Sequence, residues 1–319
     1  MKSAGIALSL ATAGLAAPTA APSWSGWKGV KNLFVFGDSY TQTGFDVKGT
    51  QPNAANPFGN PTFPGWTSSN GPNWLGFLTS TYNASFVKTY NVAYGGATVD
   101  SALVVPYAPT VLSLKNQTQN LFLPTYGSHP AATPWTSADS LFAFFIGIND
   151  VGNSWWFDNS TALYDQIFTV YDGLLEQVYE TGARNFLFLS VPPVNLAPLT
   201  LENGDYAIET EGKAIGVWNQ KLGNLTQAFG KKHTDARLFI HDTFGLYNNV
   251  IKNPAAYDQT KGLKNTTGYC AAYQNGTPTW YTKDPSCAYA VNEYLWLNNL
   301  HPTFPVHNAT AASITKLLS

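Results

Sequence analysis

The sequence predicts an α/β fold: a single three-layer α/β/α domain around a five-stranded parallel sheet. Three observations point there. Five short apolar runs read as strands. Segments of helical periodicity separate them. The runs are apolar on consecutive residues, not alternate ones, as strands covered on both faces are. In chain order, residues 33–36 form the first strand, which breaks at Gly37. Residues 72–82 read as a helix with Pro72 near its first turn. A second strand covers 87–92 and a third, strongly apolar, covers 141–146. A helix over 161–181 follows, because Leu163, Ile167, Val170, Leu174 and Val178 recur at spacings of three and four; Gly182 stops it. The fourth strand, 185–191, ends at Pro192-Pro193. Residues 205–232 carry a second long helical pattern with glycine interruptions, 237–241 make the fifth strand, and 308–318 a closing helix.

Composition narrows the function classes. Hydrophobic residues make up 44% of the 319, enough for a large core, and the net charge is only −2. That excludes a disordered chain, and the missing basic surplus argues against nucleic acid. Charged residues are 11%, while Trp, Tyr and Phe number 10, 17 and 19. With many Asn, Thr and Ser, this suits an extracellular protein that handles sugars. Lys2, an apolar run over 4–17, and then Pro18-Thr19-Ala20-Ala21-Pro22 match a secretory signal peptide. Residues 1–20 are therefore expected to be removed, leaving 21–319 as the secreted domain. The run is shorter than the roughly 20 residues of a membrane span, and no later segment reads as one. Asn-x-Ser/Thr occurs at Asn83, Asn116, Asn159, Asn224, Asn265, Asn275 and Asn308, so N-glycans are expected. Cys270 and Cys287 are the only cysteines. In a secreted chain they read as one disulfide, worth roughly 3 kcal/mol by loop entropy. Two thiolates are too few for a metal site, and no metal or organic cofactor is predicted.

In a parallel sheet, ligands bind beyond the carboxyl ends of the strands, so the residues that follow each strand matter most. Gly37-Asp38-Ser39-Tyr40 follows the first. A serine on a tight strand-to-helix turn can present its hydroxyl to a ligand, although serine there also suits a plain helix cap. Asn91-Val92-Ala93-Tyr94-Gly95-Gly96 follows the second strand, where glycine lets a backbone N–H approach a reacting oxygen. Gly147-Ile148-Asn149-Asp150 follows the third, and the Asn149 amide can donate to an oxyanion or close an Asx-turn. Near the C-terminus, Asn298-Asn299-Leu300-His301-Pro302-Thr303 carries a histidine on the loop before the last helix. The other four, His129, His233, His241 and His307, read as structural or solvated.

Together these blocks resemble the SGNH (GDSL-type) hydrolase superfamily. Its members carry, in this order, Gly-Asp-Ser, Asn-x-Ala-x-x-Gly, Gly-x-Asn-Asp and Asp-x-x-His-Pro-Thr. The chain shows Gly37-Asp38-Ser39, Asn91-x-Ala93-x-x-Gly96, Gly147-x-Asn149-Asp150 and Asn298-x-x-His301-Pro302-Thr303, and the resemblance spans 31–318. Phe36-Gly37-Asp38-Ser39-Tyr40-Thr41 with Thr43-Gly44-Phe45 is further similar to secreted fungal acetylesterases of carbohydrate esterase family 16. The resemblance implies the flavodoxin-like fold of the superfamily and a serine esterase. Ser39 would be the nucleophile and His301 its general base. The Ser39 N–H, the Gly96 N–H and the Asn149 side chain would form the oxyanion hole, with Asn91 and Asp150 as loop supports.

One residue departs from the family pattern: Asn298 stands where its Asp stands. In a Ser-His-Asp protease that exchange costs about 10⁴-fold through the wrong histidine tautomer. Three readings stay open. Asn298 orients His301 through its carbonyl oxygen; another carboxylate such as Glu293 substitutes; or the protein is weak or inactive. Trp155 and Trp156, just after Asn149, are candidate sugar-stacking residues, as is Trp66, whereas Trp74 reads as core. The expected substrate is a small acetylated carbohydrate from plant cell-wall hemicellulose. A lipase acting on longer acyl chains, with 102–114 lining an acyl channel, and a catalytically silent carbohydrate binder are the alternatives.

Overall fold

A computed structural model describes Trp24 and residues 26–319; the expected signal segment lies outside the described residues. Strands β1 (Asn32–Gly37), β2 (Lys88–Asn91), β3 (Ser140–Phe145), β4 (Asn185–Leu189) and β5 (Arg237–His241) form one sheet in the order β2-β1-β3-β4-β5. Every neighbouring pair is parallel. The principal helices are α1 (Trp74–Ser80), a composite α2 running over 114–126, α3 (Ile148–Gly152), α4 (Ser160–Glu180), α5 (Asp205–Lys232), α6 (Thr243–Lys252) and α7 (Phe304–Leu318). The α/β/α sandwich and its five parallel strands agree with the expected fold class.

The central strands β1, β3 and β4 are buried along their whole length because both faces are covered, while edge strand β5 stays partly exposed. On one face, even-numbered phenylalanines line up across the sheet. Phe34 stacks on Phe142 at 5.0 Å between ring centroids, Phe36 on Phe144 at 4.7 Å, and Phe144 on Phe188 at 5.7 Å. Phe122 and Tyr126 of α2, Tyr171 of α4 and Phe229 of α5 pack onto this ladder. Trp74 of α1 meets Phe145 on the opposite face, where α1 packs against α7. Phe144 is 1% exposed at the centre of the ladder. Phe144→Ala is expected to destabilise the fold by about 3–5 kcal/mol, read as a drop in the denaturant midpoint at unchanged m-value.

Helix α5 keeps the range read from the sequence despite its glycines. Helix α1 begins at Trp74, not 72, because the Asn73 side chain accepts the Gly76 N–H and caps it there. Helix α7 begins at Phe304, not 308, since Pro305 is tolerated in a first turn. Composite α2 was not expected. Its middle, Gln117–Phe122, is a π-helix with a polar Gln-Thr-Gln-Asn start, so no 3.6-residue apolar period announces it. Among the described residues no helix is long and apolar enough to cross a membrane. Cys270 and Cys287 form a disulfide.

Candidate active site

Strand order reverses between β1 and β3, so their carboxyl ends open a crevice in which ligands of such sheets bind. Ser39 stands at its lip. Gly37 ends β1, and a Cβ there would lie 2.5 Å from the Phe145 carbonyl oxygen, so only glycine lets β1 and β3 close up at this point. Buried Gln117 of α2 clamps the same residue: its Oε1 accepts the Gly37 N–H (2.9 Å) and its Nε2 donates to the Gly37 carbonyl (2.8 Å). The chain then turns, with Thr41 and Gln42 N–H groups donating to the Asp38 carbonyl at 3.0 and 2.9 Å. The Asp38 side chain accepts the Tyr40 N–H at 3.0 Å. Ser39 is held between these fixed residues.

His301 arrives from the far end of the chain. Its loop is a tight reversal, with a Trp296–Pro302 bridge and a Leu297 N–H bonded to the His301 carbonyl at 2.8 Å. Buried Tyr40, the neighbour of Ser39, donates its hydroxyl to the Leu300 carbonyl at 2.7 Å and ties that loop to the serine turn. His301 Nε2 then lies 2.8 Å from Ser39 Oγ, and Nδ1 lies 3.1 Å from Asn298 Oδ1.

The hydrogen-bond partners of Asn298 fix which way its amide faces. Oδ1 also accepts the Leu300 N–H at 3.0 Å and the His301 N–H at 2.8 Å, and both groups can only donate. Nδ2 donates to the Gln274 carbonyl at 3.4 Å, on the loop closed by the disulfide. Flipping the amide would aim N–H at N–H. Oδ1 therefore faces the ring, Nδ1 carries the proton, and Nε2 keeps its lone pair for the Ser39 hydroxyl. Asn298 thus supplies the tautomer a base needs, without a negative charge. The reading in which Glu293 replaces the family's Asp is corrected by the structure. Its carboxylate pairs with Lys264 Nζ at 2.5 Å and accepts the Ala290 N–H at 2.9 Å, which holds it below the usual carboxylate range. Burial pushes the His301 pKa down to about 4, so the ring is neutral at neutral pH.

The three donors expected for the oxyanion hole keep hydrogen-bonding capacity. Among the described residues, the Ser39 and Gly96 N–H groups have no protein acceptor. Asn149 Nδ2 spends one hydrogen on the Ala97 carbonyl at 2.9 Å and has a second to give. Gly96 holds a φ of +80°, a left-handed conformation that glycine adopts freely. Its turn is tied to the serine turn by Gln42, whose Oε1 accepts the Gly95 N–H. Asn91 donates to the Thr41 carbonyl and Thr43 Oγ1 at 2.8 and 2.9 Å, and Asp150 accepts the Val99 N–H at 3.0 Å, so both brace loops. Burial pushes the carboxyls of Asp38 and Asp150 up to about 7. With the Asn149 amide as an oxyanion donor, Asn149→Ala is expected to lower kcat by about 10²–10³-fold with little change in KM, measured on a soluble acetate ester.

The family model for GDSL-like lipases and acylhydrolases matches residues 33–314. The chain belongs to this family. Among curated proteins, it is 40% identical to an acetylesterase of Thermothelomyces thermophilus, over 96% of this chain and 93% of that one. It is 26% identical to GDSL esterase/lipase 3 of Arabidopsis thaliana, over 88% and 84% of the two chains. An acetyl xylan esterase structure from Geobacillus stearothermophilus aligns with 91% of this chain and 97% of its own at 13% identity and a TM-score of 0.48. This GDSL hydrolase is a carboxylic ester hydrolase.

The remaining sequence candidates fall into two groups. Trp155, half-buried, and Trp156, 51% exposed, line a cavity that Asn149 also lines. Trp66, 71% exposed, lies over Gly44, and Trp74 is fully buried core, as expected. None of the other histidines hydrogen-bonds Ser39. His129 stacks on Trp135, His233 meets Glu176, and His241 bonds Thr243. His307 is structural and not solvated: it is 2% exposed against the Tyr40 ring, and burial pushes its pKa down to about 3. In the stretch 102–114, Val104 and Val111 are core, while Val105 and Tyr107 are exposed. Sequence reasoning missed Gln117, Gln42, Gln274 and Tyr40 as supports, because no residue pattern distinguishes a buried polar clamp from a surface one.

Proposed function

We propose that this hydrolase is a secreted acetylesterase that removes O-acetyl groups from plant cell-wall hemicellulose oligosaccharides, such as xylan-derived ones, through an acyl-enzyme on Ser39. The observation that carries the chemistry is the 2.8 Å contact between Ser39 Oγ and His301 Nε2. Ser39 Oγ attacks the ester carbonyl carbon while His301 Nε2 takes the hydroxyl proton. The tetrahedral oxyanion rests on the Ser39 and Gly96 N–H groups and the Asn149 amide. Collapse breaks the bond to the alcohol oxygen, which leaves with the proton from His301. Water, deprotonated by the same nitrogen, then attacks acetyl-Ser39, releasing acetate and restoring the serine. Asn298 Oδ1 holds Nδ1–H throughout.

Acetyl as the acyl group is supported by the similarity to a fungal acetylesterase. Secretion is supported by the leader-like residues 1–20, by the disulfide, which suits an oxidising compartment, and by the exposure of Asn83, Asn159, Asn224 and Asn275. The test is acetate release from acetylated xylo-oligosaccharides set against hydrolysis of 4-nitrophenyl acetate and 4-nitrophenyl esters of long acids. Release from the sugar with a preference for acetate over long acyl chains is expected. A preference for long chains would replace this reading with a lipase.

A further inference from the structure

A cavity of about 510 Å³, lined by Asn149 and by Leu300, the chain neighbour of His301, opens between the loop after β3 and the start of α5. Trp155, Trp156 and Tyr206 wall it elsewhere. The two tryptophans stand edge to face at 5.3 Å, and Tyr206, 73% exposed, leans over Trp155 at 6.3 Å. An acetyl group needs only a small fraction of this volume. For an ester held at Ser39, an occupant of this cavity would be either the alcohol part or a longer acyl chain.

Glu211 decides between them. It lines the cavity, yet is only 3% exposed. Its Oε2 accepts the Thr200 hydroxyl at 2.5 Å, and among the described residues Oε1 takes no hydrogen bond. An alkyl chain in this space would strip water from that oxygen and give nothing back, a costly burial. A polyol offers hydroxyl donors to Oε1 and C–H faces to the aromatic rings. Asn153 and Asn203, which also line the cavity, add amide groups suited to hydroxyls and not to methylenes.

We infer that this cavity is the subsite for a sugar unit of the substrate, with Glu211 accepting a sugar hydroxyl and so selecting polyhydroxylated over aliphatic groups. The inference rests on the acetylesterase reading above and specifies where its carbohydrate sits. Neither Glu211 nor Tyr206 is part of the chemistry at Ser39, so their effect falls on substrate choice.

The test compares kcat/KM for monoacetylated xylobiose, 4-nitrophenyl acetate and 4-nitrophenyl hexanoate. Glu211→Gln keeps the shape and an acceptor for Thr200 but removes the charge. It is expected to lower the ratio of xylobiose ester to aryl acetate about ten-fold, the usual worth of a hydrogen bond to a charged group, chiefly through KM. Tyr206→Ala, at an exposed position where folding is not at stake, is expected to lower the same ratio. If both variants leave that ratio unchanged while the wild type hydrolyses the xylobiose ester, the subsite is overturned and the acetylesterase reading stands. A change confined to the hexanoate-to-acetate ratio overturns it too, by making the cavity an acyl pocket. A wild type that hydrolyses aryl acetate and ignores the xylobiose ester overturns both.

Discussion

Ser39→Ala is expected to lower kcat for ester hydrolysis by about four orders of magnitude or more, the scale seen when a serine nucleophile is removed from a triad enzyme. Residual catalysis would come only from the oxyanion donors and binding. The substitution deletes one half-buried hydroxyl, so stability should stay within about 0.5 kcal/mol and substrate should bind as before. Acetate release and thermal unfolding, measured on the same preparation, check this. A variant that is stably folded and keeps activity within ten-fold of wild type would remove Ser39 from the reaction. His301 could then have no part as its base.

Asn298→Asp is the second large expected effect, and its sign follows from burial. In the wild type the neutral Asn298 amide faces Nδ1, and burial pushes the His301 pKa down to about 4. The neutral ring is the working base, so kcat/KM should hold as pH falls through 6 and 5 and be lost as it passes through about 4. A carboxylate in the position of Asn298 Oδ1 would receive the same three N–H donors and would stabilise the imidazolium. It should raise the pKa by about 1–3 units, moving the acid limb up by that amount. Each unit is worth about 1.4 kcal/mol of imidazolium stabilisation, and an imidazolium forms in the transition state. The plateau of kcat/KM near pH 8 should therefore rise, by about ten-fold. The gain stays far below the roughly 10⁴-fold penalty known for the opposite exchange, because that penalty reflects a wrong tautomer and here the tautomer is already right. An unmoved acid limb would mean that another negative group already faces His301. A fall in the plateau would mean that the amide is needed as it stands.

Much of this architecture was legible in the residues, and the failures have physical causes. The apolar runs at 33–36 and 141–146 mark strands because a parallel sheet covered on both faces needs no polar alternation. Helix α5 was visible because nearly eight turns keep one apolar stripe. The composite α2 was not, because its π-helical middle breaks the period and its first residues are polar. The blocks carrying Ser39, Gly96, Asn149 and His301 were legible because each sits where a parallel sheet places ligand contacts, directly after a strand or on a loop that can return. What brings them into register was invisible. The Tyr40 hydroxyl reaching the Leu300 carbonyl and the Gln117 clamp on Gly37 are long-range contacts of ordinary residues. The consequence of Asn298 was open for a related reason: the direction an amide faces depends on neighbouring backbone donors, which only the folded loop reveals. Glu293, near in sequence, points instead to Lys264.

The central claim is that His301 makes the Ser39 hydroxyl a nucleophile. Reaction with a fluorophosphonate, followed by mass spectrometry of the intact protein and its peptides, tests it most directly. The account predicts one adduct per chain on the peptide bearing Ser39, formed rapidly in the wild type and hardly at all in His301→Ala. An unlabelled wild type, an adduct on a different residue, or labelling that proceeds equally well without the imidazole would contradict it.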